Sequence, residues 1–343
     1  MTALRACPLL LVLLLNPQGF PPLGVIDFYG LRTVSESQVR QALDLHEGDA
    51  IDMQHFEKSR DESIEKIKRL PGVRSASWSL VCCTDDQKSM LYVGIEEAAT
   101  PCASFQPAPT GNVRLTEDVV RAERDTQVAW KNAVLQGNSS EDDSQGHALN
   151  SDPQLRAMEL RLIPLAEAHL ANLKEVLRNS SDADHRAIAA EVLGYVNDKN
   201  AVVQDLMAAM RDPSSIVRNN AMRALLVFSK YSPKPPSEKI QIPADPFIAM
   251  LNSCDWTDRN KSAAAVAELT ESRDPALLAE IKKEAFPSLL EMARWKSLGH
   301  AMSSLTILGR IGGLPDEQIY EDVEAGNREA IFTAARKAAQ TLN

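Results

Sequence analysis

Cysteine is the residue type in this chain best suited to bond-making chemistry, and its placement limits what that chemistry is. Of five cysteines, Cys7 sits in an apolar N-terminal run, and Cys82, Cys83, Cys102 and Cys254 lie beyond it. There is no Cys-x-x-Cys spacing and no His at a ligand offset, so the set matches no zinc site. Adjacent residues of a strand point to opposite faces, so one of Cys82 and Cys83 would bridge to Cys102, just beyond the next strand. Buried free thiols are the other reading, because an unpaired Cys packs as a small hydrophobe. Connectivity is not readable from spacing, and both states stay open. The six His are dispersed, and His46-Glu47 is the only His-Glu dipeptide. The chain has no Gly-rich phosphate loop, no Gly-x-Ser-x-Gly elbow and no His-Glu-x-x-His helix. These residues predict no catalytic set, no metal and no cofactor, and so a protein that is not an enzyme.

Two arginines offer another chemistry, charge-assisted hydrogen bonding. The segment from His185 to Gly194, with Arg186, Ala189 and Leu193, recurs 32 residues later from Val217 to Leu226, with Arg218, Ala221 and Leu225. In each copy a small residue follows the Arg by three positions and a Leu follows it by seven. A fixed period of this size marks a stacked helical array, and such arrays serve as binding surfaces. Arg186 and Arg218 have two open roles. They contact a partner on an exposed face, or they satisfy helix-end carbonyls and carboxylates between repeats.

The elements that must position these residues follow from patterning. Leu9 to Leu15 is an unbroken apolar run after the lone charge of Arg5, and Asn16-Pro17 breaks it. That run is too short for a bilayer span and has the form of a signal peptide; residues 1–24 are assigned to it. Residues 25–97 form a small α+β unit. Val25-Ile26-Asp27-Phe28-Tyr29-Gly30 reads as a strand. Ser35 and Gln38 make a capping box for a helix through Val39 and Leu43, and a second helix ends at Pro71-Gly72. Two strands follow, Val73 to Val81 and Met90 to Ile95. Residues 98–151 are Pro-rich and then acidic, a composition predicting a largely disordered linker, with one helix between Leu115 and Leu135. From Asp152-Pro153, an N-cap with a first-turn Pro, to residue 343 the chain is helical, interrupted by a Pro-rich insertion at 232–246. Asp258 to Leu269 is a third, less regular copy of the repeat, and Ala301 to Gly309 a fourth. No segment after the first reaches membrane-spanning length. With a formal charge of −10 the chain lacks the basic face that a phosphate backbone requires, so no nucleic-acid partner is expected.

Two resemblances attach to these units. The opening Ile26-x-Phe28-x-Gly30, the Val39 to Leu45 helix with Gly48-Asp49, the junction Leu70-Pro71-Gly72-Val73-x-x-Ala76 and the closing Leu91-Tyr92-Val93-Gly94-Ile95-x-Glu97 resemble a POTRA domain. That module belongs to outer-membrane assembly and secretion proteins. The chain departs from those proteins in having no barrel-forming alternation after residue 97, so it is not itself a pore. The helical region, with Asp212-x-x-x-x-Val217-Arg218-x-x-Ala221-x-x-Ala224-Leu225, resembles HEAT repeats. This resemblance implies that Asp212 and Arg218 knit successive repeats together, as do Arg186 and Asp182 or Asp184. POTRA topology implies that the strand carrying Val73, Arg74, Ser75, Ser77, Trp78 and Ser79 lies at a sheet edge, where it accepts an extended peptide. Alternation of Trp78 with Ala76 and Leu80 favours instead a Trp packed on the helices.

The expected architecture is multidomain: a β-α-α-β-β unit followed by an all-α solenoid. The expected function is a non-enzymatic scaffold of the cell envelope, exported to the periplasm or beyond, binding a protein through the solenoid and associated with envelope machinery. An accessory chaperone using strand addition, and a lyase-like repeat enzyme, are the alternatives.

Overall fold

The computed structural model describes residues 21–52, 55–84, 86–100, 102–138, 140–231 and 240–340. The first unit comprises β1 (Leu23–Tyr29), α1 (Glu36–Ala42), α2 (Phe56–Lys68), β2 (Val73–Val81) and β3 (Ser89–Glu97). Ser35 opens α1 with a reciprocal capping box to Gln38. The sheet order is β1-β3-β2, with β1 parallel and β2 antiparallel to the central β3. Leu91, Val93 and Ile95 share a core with Val39 of α1 and Ile67 of α2. Met90 and Tyr92 point the other way and belong to the core of the helical region. Every residue from Ser89 to Ile95 is buried. A strand covered on both faces reads as a continuous apolar run, as Met90 to Ile95 does.

One boundary moves. Leu23 is fully buried and pairs with Ser89, so Leu23 and Gly24 belong to β1, and the unit starts there rather than at Val25. Residues 1–20 of the expected signal segment lie outside the described residues.

The helices are α3 (Glu117–Leu135), α4 (Pro153–Ala168), α5 (Leu170–Asn179), α6 (Ala183–Leu193), α7 (Val203–Ala209), α8 (Ser215–Lys230), α9 (Asp245–Met250), α10 (Trp256–Leu269), α11 (Pro275–Met292), α12 (Leu298–Ile311), α13 (Asp316–Glu324) and α14 (Arg328–Gln340). Among the described residues they form five pairs, α5/α6 through α13/α14. The second members α6, α8, α10, α12 and α14 pack side by side. Asp152, Asp182 and Asp274 each accept two backbone N–H groups at a helix start, satisfying donors that the helix cannot.

A row of buried arginines joins the pairs. Arg186 donates to both oxygens of Asp212 at 2.7 and 2.9 Å and to the Ser180 carbonyl at 2.8 Å. Arg218 donates to both oxygens of Asp258 at 3.1 and 3.0 Å, to Asp255, and to the Asp212 carbonyl at 2.8 Å. Arg259 donates to the Ser253 carbonyl at 2.6 Å and to Glu291 at 2.9 Å. The carbonyl lies six residues before the Arg each time, and the carboxylate comes from the next pair. Arg259 thereby sets the register of the third copy. Asp182 is a helix cap that also pairs with Arg114 at 2.7 Å, not a ladder carboxylate.

The stretch 98–151, expected as a largely disordered linker, is instead built into the fold. The Gln106 N–H donates to the Arg211 carbonyl at 2.8 Å, and Gly111 and Ser181 exchange backbone bonds with Asn179 and Gly111 at 2.9 and 2.7 Å. This strap crosses the turns before α8 and α6. Helix α3 packs on α4 and α6. A hairpin of β4 (Glu141–Asp142) and β5 (Leu149–Asn150) follows. The acidic run that reads as disordered is neutralised by cations of two helices, α8 and α4: Glu141 by Arg223, Asp142 by Arg156 at 3.1 Å, and Asp143 by Lys230 at 3.0 Å. Of the Pro-rich insertion, residues 232–239 lie outside the described residues, whereas Ile240 and Ile242 pack on the helical core. No helix among the described residues is long and apolar enough to cross a membrane.

Arg218→Ala leaves the fully buried Asp258 without its guanidinium. Losing one partner of a buried pair costs about 3–5 kcal/mol, so the urea midpoint should fall by that equivalent. An unchanged midpoint would show that the repeats do not depend on this contact.

Candidate functional site

The second face of the sheet is not free. It lies on the turns that precede α10 and α12. The Tyr29 hydroxyl donates to the Cys254 carbonyl at 2.8 Å, and the Ser77 hydroxyl donates to the same oxygen. Tyr92 stacks on Trp256 with centroids 5.0 Å apart, meets Trp295 at 5.0 Å, and places its hydroxyl 2.6 Å from His300 Nδ1. Asp27 accepts the Lys296 N–H at 2.8 Å, and Glu291 pairs with both Arg32 and Arg259. Burial, together with the nearby Lys261 charge, pushes the His300 imidazole down to about 4, so it is neutral at pH 7 and can accept the Tyr92 hydroxyl proton. A side chain at Gly94 would sit 2.4 Å from the Cys254 carbonyl and 2.5 Å from the Tyr29 hydroxyl. Only glycine permits this approach.

Cys102 is bonded to Cys254, with Cα atoms 5.6 Å apart, and Cys82 to Cys83. The expected bridge from Cys82 or Cys83 to Cys102 is therefore replaced. Docking of the sheet on the α10 turn brings Cys254, distant in sequence, beside the end of β3. No spacing within residues 82–102 could reveal that.

The expected peptide-binding strand is β2, and it does lie at the sheet edge. Its register to β3 shifts between Val73 and Ser75, and Arg74 in the bulge pairs with Glu96 at 3.6 Å. Ser75 donates to Glu96 at 2.6 Å, and Ser77 is spent on Cys254. Trp78 packs on Phe56 of α2 with centroids 6.1 Å apart, alongside Ala76 and Leu80. Ser79 is half-buried and paired with Tyr92. A bulge and a charge are devices that blunt an edge against strand addition. Arg186, Asp212 and Arg218 are buried and form the ladder rather than an exposed contact.

A cavity of about 480 Å³, which the sequence reading missed, opens on the α6–α8–α10 layer. Its floor is Glu191, Tyr195, Asn220, Arg223 and Lys261. Its walls are Gln127 and Trp130 of α3, Glu141 of the hairpin, Glu159 of α4, and Trp256. Gln127 donates to both oxygens of Glu191 at 2.8 Å. Burial and the Glu191 charge raise Glu123, behind this wall, to about 8. The two carboxyls thus hold a proton between them near neutrality. Burial raises Glu159 to about 7, although it accepts the Asn150 N–H at 2.6 Å. Burial, helped by repulsion from Arg223, lowers Lys261 to about 8. The only sequence signal for this site was negative: Glu191, Arg223 and Lys261 are charges on helix faces that the apolar periodicity requires to be near the core. Among the described residues no cluster of three or more His, Cys, Asp or Glu is arranged to hold a metal ion.

Residues 170–237, spanning α5 to α8, match the family of HEAT repeats. This stretch contains the Arg186 and Arg218 rungs and most of the cavity floor. No curated protein matches the chain.

Glu159 holds its proton more tightly folded than unfolded, since about 7 lies above the ordinary glutamate value of 4.5. The stability this gives is complete below the unfolded value and is lost as pH rises through about 7. Glu159→Gln, which keeps an acceptor for Asn150 and carries no charge, should therefore stabilise the protein at pH 8 by about 2 kcal/mol relative to its effect at pH 5. Thermal melts at the two pH values check this; equal shifts at both would show that Glu159 is ionised throughout.

Proposed function

We propose that the chain is a non-enzymatic interaction scaffold of the cell envelope, which binds a protein partner through its helical repeats while a POTRA-like module is held against them. The observation that carries this reading is the HEAT match over residues 170–237, in a region whose ladder is turned inward and whose helix layer is left to present surface. HEAT-type arrays act through such surfaces. The POTRA-like part draws on the strand-helix-helix-strand-strand order and on the edge position of β2. Export to an oxidising compartment draws on the Leu9 to Leu15 run and on the Cys102 to Cys254 pairing.

The two regions share one core, so removing either would uncover apolar surface and produce spurious binding. The test therefore uses the full chain with point substitutions. Exposed apolar residues of the repeats, Ile216 at 59% and Leu298 at 44% exposure, are replaced together by Glu, and the crosslinked catch from native envelope is compared with that of the parent chain. One discrete protein, bound saturably and lost in the substituted chain, is the expected result. A broad spread of unfolded outer-membrane proteins, insensitive to these changes and lost on Ser79→Pro in β2, would overturn the scaffold in favour of a chaperone.

A further inference from the structure

The cavity on the α6–α8–α10 layer is lined by donors and acceptors that the fold does not use up. Asn260 of α10 makes no side-chain hydrogen bond among the described residues, and its amide is open to the cavity. Arg223 of α8 spends one nitrogen on Glu141 and keeps the rest of its fork. Asn219, one turn before it, donates to Asn220 at 3.2 Å and keeps its carbonyl oxygen. Glu159 is 2% exposed and gives one oxygen to the Asn150 N–H at 2.6 Å; its other oxygen is unpaired among the described residues and opens on the cavity. The facing wall is of another kind. Trp130 and Val134 lie one turn apart on α3. Helix α3 is anchored on α4 through Ala129 and Ala133, which pack on Leu155. Trp130 takes no part in that seam and is 42% exposed.

This lining selects by elimination. Arg223 and Lys261 sit in it together with Glu141, Glu159 and Glu191, so a ligand of either net charge would meet its own sign. A wholly apolar ligand would cover the open amide and carboxyl and leave them without partners. A peptide strand takes an unpaired sheet edge, whereas these groups are side chains of helices. What fits is a neutral molecule with one apolar face and closely spaced groups that each donate and accept. Hydroxyls have that double capacity and rotate to suit a donor or an acceptor. Planar carboxyl, amide and guanidinium groups each offer two atoms to two neighbouring hydroxyls. A pyranose ring combines such a hydroxyl rim with a C–H face for an aromatic side chain, and about 480 Å³ is an ordinary size for a small-ligand site.

We propose that this cavity binds a neutral pyranose unit of a saccharide. Trp130 covers the C–H face of the ring, and Asn260, Arg223 and the free oxygen of Glu159 take its hydroxyls. The proposal goes beyond the scaffold reading and does not depend on it.

The test is calorimetric titration of the full chain with maltose, cellobiose and N,N′-diacetylchitobiose. At least one should bind with a Kd of about 1 mM or tighter. Trp130→Ala and Asn260→Ala should each weaken that sugar about tenfold, the size of one aromatic contact or one hydrogen bond. Both should leave the melting temperature little changed, because Trp130 is half-exposed and Asn260 bonds to nothing in the fold. Glucitol, which has the hydroxyls and no ring, should bind far more weakly. Phosphate, spermidine and adenosine, as anion, cation and flat base, should not compete. Binding of none of the three sugars, binding that survives both substitutions, equal affinity for glucitol, or competition by any of the last three probes would each overturn the proposal. A partner captured through Ile216 and Leu298, with no sugar bound, would overturn this proposal and leave the scaffold reading standing. A sugar bound with no discrete protein captured would do the reverse.

Discussion

The row of buried guanidiniums is the constraint on which the rest of the molecule depends. Arg186, Arg218 and Arg259 each close the carbonyl of the turn behind them and grip a carboxylate of the pair ahead. A guanidinium suits this double duty because its donors are fixed in one plane. Burying a charge is expensive, and such pairs add less to net stability than to register. The value here is geometric: an Arg that must reach two partners on successive pairs fixes the offset between them. The chain's other parts use the same row. Phe105 of the strap lies on the Arg218 guanidinium at 3.6 Å, and Tyr29 of the sheet lies on that of Arg259 at 4.7 Å. Two of the three ladder rungs thus become docking points for an aromatic ring.

From this row outward, the N-terminal third of the chain can be followed along one rim of the helical stack. Gly111 covers the turn before α6 and Gln106 the turn before α8. Cys102 and Tyr29 cover the turn before α10, and Asp27 and Tyr92 the turn before α12. The segment looks like a linker in composition because its polar groups are satisfied by the turns it crosses rather than by regular structure of its own. The opposite consequence holds inside the stack, where α3, the hairpin and α4 wall off part of the helix layer and leave the cavity with Lys261 and Trp256 at its boundary.

What could be read in the residues themselves was local. The capping box at Ser35, the Asp152-Pro153 helix start and the packing of Trp78 with Ala76 and Leu80 all follow from residues a few positions apart, and the structure has them; the edge position of β2 was implied only by the resemblance. The Arg186 and Arg218 repeat was legible because its period is short and its spacing regular. Arg259 was not, because the Pro-rich insertion shifts the third copy and its aspartates fall at 255 and 258 rather than six before the Arg; Ser253 holds that place. The disulfide partner of Cys102 and the role of Tyr92 were out of reach for a different reason. Both depend on residues more than 150 positions away, and nothing in an apolar strand tells whether its second face meets solvent, a membrane or its own chain. The cavity was invisible because its lining comes from α3, the hairpin, α4, α6, α8 and α10 together.

The docking of the sheet also has a consequence for synthesis. Tyr29 meets Cys254 across 225 residues, Tyr92 meets His300 across 208, and Asp27 meets Lys296 across 269. The α/β module has its own helix-covered core and completes its chain first, so it emerges with Tyr29, Met90 and Tyr92 facing water. At a translation rate of about 5–20 residues per second, that aromatic face waits on the order of 10–40 s for α10 and α12. Contacts of such sequence separation form late, and an uncovered apolar sheet face is the surface most prone to pairing with the wrong neighbour. The nascent chain is therefore most vulnerable after residue 97 has emerged and before residue 300 has, an interval in which a factor that shields one aromatic sheet face would protect the whole protein.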